Sequence, residues 1–114
     1  MDQIGQNIPE IRFAVLIDGD NAQSNSVELI LKEVVKFGKI TIRRIYGDWT
    51  TPQMESWKKY LPTNALQPIQ QFRNTVGKNA TDSAMIIDAL DILYSDNVKV
   101  LLLSQATAII QDSP

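Results

Sequence analysis

The sequence predicts an α/β domain of three layers, α/β/α, with a mainly parallel central sheet. Two near-continuous apolar runs, at 12–17 and 99–103, have the character of strands buried on both faces. Segments with helical periodicity stand between the strands. The resulting order is strand-helix-strand-helix-strand-helix-strand, and repeated βαβ units imply parallel pairing with helices on both faces of the sheet. In such sheets ligands bind at the carboxyl ends of the strands.

Residues 1–10 are polar and include Pro9, so they read as a lead-in, with one domain over 11–114. The first strand, 12–17, is cut off by Asp18-Gly19-Asp20-Asn21. A helix is expected over 25–37, where Val27, Ile30, Leu31 and Val34 have the spacing of an apolar stripe, Asn25 and Glu28 resemble a capping pair, and Gly38 is a stop. A second strand is expected at 40–46, closed by Gly47-Asp48. A short helix at 52–61 has proline in its first turn. A third strand at 66–72 contains Pro68, which assigns it to an edge. Residues 74–79 read as a loop, 81–94 as a helix and 99–103 as the fourth strand. Residues 106–110 read as the start of a helix. The chain is expected to lack the last elements that complete such a fold.

The 114 residues suffice for one domain, and 44% hydrophobic residues suffice for one core. A net charge of −2 gives no global attraction to nucleic acid or anionic membranes, so any nucleic-acid contact requires a local basic patch. The absence of Cys and His excludes disulfides, thiol nucleophiles, Ser-His-acid catalysis and imidazole or thiolate metal sites. Any metal must be held by oxygen, which points to magnesium, manganese or calcium. No apolar run is long enough to span a bilayer and the N-terminus has no signal-peptide pattern, so a cytoplasmic location is the expectation.

Asp18 and Asp20 follow the first strand directly. Two close carboxylates repel unless a cation intervenes, and a hard divalent metal also lowers the pKa of bound water. The alternative reading is a polar turn leading into the next helix. At about 100° per residue, Asp82 falls in line with Met85, Ile86, Ala89 and Leu93 on the stripe expected to face the sheet, whereas Asp88, Asp91 and Ser95 share a solvated face. Asp82 then either caps its helix or points over the sheet edge toward Asp18 and Asp20. Lys78 is a candidate phosphate contact or a solvated loop lysine. Asp48 shares the sheet edge or simply belongs to a turn. Trp49 and Trp57 read as packing residues, with base stacking as a second role for Trp49. Arg43, Arg44, Lys58, Lys59, Arg73 and Lys78 form a candidate basic flank for phosphates.

Taken together, three segments resemble NYN domains, the PIN-like nuclease relatives, in their LabA-like branch: Phe13-Ala14-Val15-Leu16-Ile17-Asp18-Gly19-Asp20-Asn21, Tyr46-Gly47-Asp48-Trp49, and Gly77-Lys78-Asn79-Ala80-Thr81-Asp82-Ser83-Ala84 through Asp88-Ala89. The resemblance covers nearly the whole chain. It implies a Rossmann-like, PIN-like fold and a Mg2+- or Mn2+-dependent ribonuclease in which a metal-activated water attacks a phosphodiester. Asp18, Asp20 and Asp82 would be the catalytic and metal residues, and Asn21, Lys78 and Asp48 the substrate-binding ones. The implied partner is RNA, with a homodimer as a candidate assembly and no membrane. One departure stands out. Where this family usually has Ser-Ser-Asp-Ser-Asp-Phe, the chain has Ser104-Gln105-Ala106-Thr107-Ala108-Ile109, so both aspartates are replaced, by Ala106 and Ala108. Fewer carboxylates weaken a metal ring, so an RNA- or protein-binding regulatory domain without turnover is the alternative. A phosphatase of the haloacid-dehalogenase type, with Asp18 as nucleophile, is a third.

Overall fold

The central strand of the sheet is also the first in the chain. In the computed structural model, which describes residues 10–72, 80–95, 97–104 and 107–112 (backbone only for 80–83 and 107–112), β1 (Arg12–Asp18) has every residue after Arg12 buried. It pairs in parallel with β2 (Lys39–Gly47) on one side and with β4 (Lys99–Ser104) on the other. The short strand β3 (Gln67–Gln70) pairs in parallel with β2 alone, so it lies at the edge where Pro68 costs no ladder bond. The sheet order is β3-β2-β1-β4 with a fifth strand, β5 (Thr107–Asp112), beyond β4, and the first four strands are parallel.

The fifth strand differs from the expectation. Residues 106–110 read as the start of a helix, but β5 (Thr107–Asp112) turns back antiparallel on β4, pairing Ala108 with Leu103 and Ile110 with Leu101. The Thr-Ala-Ile-Ile run suits a strand once β4 offers an open edge, so tertiary pairing overrides the weak helical start.

Alternation along β1 and β4 divides the core into two layers. Phe13, Val15, Ile17, Leu101 and Leu103 pack with Val27 and Leu31 of α1 (Ser24–Val34) and with Met54 and Trp57. On the other face Ala14, Leu16 and Val100 pack with Tyr46 of β2 and with Met85, Ala89 and Ile92 of α4 (Ala80–Ser95). This is the predicted three-layer arrangement.

The helices depart from expectation in detail. α1 starts one residue early, its N-cap is Gln23 with no side-chain cap bond, and it ends at Val34 rather than at Phe37. The single helix expected over 52–61 is three short pieces: a 3-10 turn (Pro52–Met54), α2 (Glu55–Lys58) and α3 (Tyr60–Thr63). On α4 the buried positions are Met85, Ala89 and Ile92, while Ile86 is 47% exposed. Apolar residues surround much of this helix, so periodicity alone could not fix its inward face. The lead-in 1–9 and the loop 74–79 lie outside the described residues.

Candidate functional site

Parallel pairing brings the ends of β1, β2 and β4 to one edge, and Asp18, Asp48 and Ser104 stand there. Asp18 is 1% exposed. Its Oδ2 accepts hydrogen bonds from Asn21 Nδ2 at 2.8 Å and Ser104 Oγ at 3.1 Å. Its Oδ1 is buried and has no hydrogen-bond partner among the described residues. A buried carboxylate oxygen with no donor is costly, and a hard cation is the ligand that best satisfies it.

The turn after β1 is held tightly. Asp18 O accepts from Asn21 N and Ala22 N, and Gly19 N donates to Tyr46 O at 2.7 Å. Buried Trp57 donates its indole N–H to Gly19 O at 2.9 Å, fixing the acidic turn from the side of α2. A Cβ on Gly19 would lie 2.8 Å from Met54 Cε and 2.9 Å from Ile45 Cγ1, so only glycine lets the turn approach this closely.

Asp20 faces the β2 exit. Gln53 Nε2 donates to its carbonyl O at 3.2 Å and to Oδ1 at 3.3 Å, and Asp48 N reaches Oδ1 at 3.5 Å. Asp18 therefore engages β4 and Asp20 engages β2 and the 3-10 turn. Among the described residues no group of three or more His, Cys, Asp or Glu is close enough to hold a metal ion. Asp48 is built into its turn: Oδ1 accepts from Thr50 N at 3.0 Å, Gln70 Nε2 at 3.0 Å and the Thr50 hydroxyl. Asp82 belongs to the first turn of α4 by its backbone, and its side chain lies outside the described residues, as do Lys78 and Ala106.

The candidate basic flank is not gathered into one strip. Arg43 and Arg44 leave β2 on opposite faces, Arg43 donating to Asn64 O at 2.9 Å and Arg44 lying 3.8 Å from Asp88. Lys58 pairs with Glu55, and Lys59 lies over the Tyr60 ring. Arg73 and Lys78 lie outside the described residues. Trp49 packs as expected and donates its indole N–H to Ile69 O at 3.2 Å.

Asp88 corrects the solvated face expected for it. It accepts a 2.6 Å hydrogen bond from the buried Tyr46 hydroxyl and faces Arg44. Burial first, and then the bond to Asp88, push the Tyr46 phenol well above its usual pKa. Two polar partners on β2 thus draw Asp88 inward. Sequence reasoning had no signal for this pair, nor for the Trp57 clasp. Ser104 did carry one, a hydroxyl placed directly after the last apolar strand.

A polar cleft of about 500 Å³ opens beside Asp20, lined in part by Ser24, Asn25, Gln53, Ser56 and Tyr60. The arrangement is that of an α/β domain with carboxylates and hydrogen-bonding side chains gathered at the ends of its parallel strands. The NYN domain family model matches residues 12–108, and the chain belongs to the NYN domain family, within the PIN-like nuclease superfamily. No curated protein and no solved structure matches the chain. No helix among the described residues is long and apolar enough to cross a membrane.

Proposed function

We propose that the chain is a Mg2+- or Mn2+-dependent ribonuclease domain of the LabA-like branch, acting in the cytoplasm. The observation that carries this reading is Asp18: a buried carboxylate at the end of the central strand, oriented by Asn21 and Ser104, with Oδ1 left open. In this reading Asp18, Asp20 and Asp82 hold the ion, which when bound lowers the pKa of water and neutralises phosphate charge. Asn21 and Ser104 keep the Asp18 carboxylate in one orientation. Lys78 grips substrate phosphate, Asp48 shapes the rim, and the polar cleft beside Asp20 admits the RNA strand.

The test is cleavage of single-stranded RNA with manganese, comparing the wild type with Asp18→Asn and Asp82→Asn. Cleavage lost in both variants is the expected result, and equal cleavage in all three rejects the reading. The second reading, RNA binding without turnover, is favoured by the alanines at 106 and 108. It predicts a wild type that shifts RNA on a native gel and leaves it intact.

A further inference from the structure

We propose that copies of this chain associate head to tail, the outer face of α4 in one copy seating in the groove beside α1 of the next. α4 presents an apolar ridge that has no partner among the described residues: Ile86, Ile87, Leu90 and Tyr94 are 47%, 63%, 49% and 76% exposed. Their i, i+3, i+4, i+7 and i+8 spacings align them along one side of the helix. On the opposite face of the sheet, an apolar groove of about 620 Å³ runs between α1 and the starts of β1 and β4. Its walls include Ile11, Leu29, Phe37 and Leu101, and Leu29 and Phe37 are 65% and 67% exposed.

Charge selects the pairing. α4 contains Asp82, Asp88 and Asp91 and no Lys or Arg, and Asp91 is exposed beside the ridge. The groove has Lys99 in its wall, Lys32 is exposed on α1, and Lys36, exposed just after that helix, pairs with Glu33 at 2.9 Å. Ridge against ridge would bring acidic helices together, and an anionic membrane would repel α4. Ridge into groove joins apolar to apolar and Asp91 to lysine.

α1 packs on one core layer and α4 on the other, so the two surfaces of one molecule cannot meet. The contact is therefore heterologous, and each copy keeps a free ridge and a free groove.

Sedimentation of the whole chain over rising concentration tests this. Wild type is expected to pass from monomer to dimer and to larger species, less readily at high salt. Leu90→Lys spoils the ridge and Phe37→Asp spoils the groove, each by removing an apolar contact and adding a like charge. Both positions are exposed, so the core is untouched. Each variant alone should associate about tenfold more weakly or worse. Their mixture should form one-to-one dimers and nothing larger, because one retains a groove and the other a ridge. A wild type that stays monomeric at millimolar concentration overturns the proposal, whatever foreign helix or lipid the ridge then binds. So does a mixture that stays monomeric, and so does a Phe37→Asp variant that dimerises as readily as wild type, the result expected of a self-complementary ridge-to-ridge dimer.

Discussion

Burying Asp18 at 1% exposure with one oxygen lacking a donor spends stability on a charge that nothing in the described protein neutralises. A carboxylate kept under those conditions should gain from a cation more than it loses from being made neutral. Asp18→Asn is therefore expected to fold with thermal stability equal to or above that of the metal-free wild type. Manganese at a hundredfold excess over Kd should stabilise the wild type by about 2–3 kcal/mol, raising its melting midpoint, and leave the variant unmoved. Equal manganese shifts in a melting assay would remove Asp18 from the proposed metal site. Tyr46 makes a second prediction at this scale. Its phenol pKa is raised in the folded protein above the usual 10, so the unfolded chain ionises first as pH climbs. The stability tied to Tyr46 is complete below pH 10 and declines above it. Tyr46→Phe should lose about 1–2 kcal/mol near neutrality with the Asp88 bond, and show a flatter decline in alkali, read by urea unfolding across pH. Asp18 was legible in the sequence because an apolar strand ends in it. Tyr46 and Asp88 were not, since they meet only when α4 crosses β2, 42 positions along the chain.

Between the residue and the whole molecule, the exit of β2 is fitted to the 3-10 turn through glycine. A Cβ on Gly47 would sit 2.6 Å from Met54 Cε and 2.9 Å from its Sδ, with Asp20 Oδ1 at 3.3 Å. Met54 is fully buried, so its methyl group has little room to retreat. Gly47→Ala is expected to destabilise by about 1–3 kcal/mol, and shortening the neighbour in Gly47→Ala/Met54→Ala should recover part of that loss relative to the sum of the single changes. Strict additivity in chemical unfolding would mean that the two sites do not touch. The helices divide along a similar line. α1 was legible because Val27, Ile30, Leu31 and Val34 recur at helical spacing. The 52–61 segment was legible as helical and not as broken, and the contact that Trp57 makes from it, its indole N–H on Gly19 O, lies 38 positions away in the chain where local periodicity does not reach. α4 was placed within a residue at each end and its inward face was legible in part: Met85 and Ala89 are buried and Leu93 packs on the core as expected, but Ile92 is buried where Ile86 was expected, because Ile86, Ile87 and Leu90 are as apolar as the residues it buries. The antiparallel return at 107–112 was hidden for another reason: strand formation there depends on the free edge of β4, a partner that local sequence does not contain.

Across the whole molecule, burial is concentrated around one strand. Ala14, Val15, Leu16 and Ile17 have no exposed surface, and β1 is hydrogen-bonded to neighbours on both sides and covered by helices on both faces. β3 has one neighbour, four residues and an almost wholly exposed pattern. Local openings should therefore grade outward from the centre, since an amide exchanges through the smallest opening that frees it. The amides of 14–17 are expected to exchange only through global unfolding, with free energies equal to the value from urea denaturation. Those of 67–70 should exchange through a local opening at a small fraction of that value. Hydrogen exchange followed by NMR reads both groups in one sample. Denaturant should then accelerate 14–17 with the full global slope and leave 67–70 nearly unaffected, because little surface is exposed when an edge strand detaches. Equal protection in the two strands would show that the sheet opens as one unit. The placement of Asp18 ties the proposed site to this gradient: its carboxylate is attached to the strand expected to open last, while Asp20 and Gln53 meet in the less buried turn beyond it.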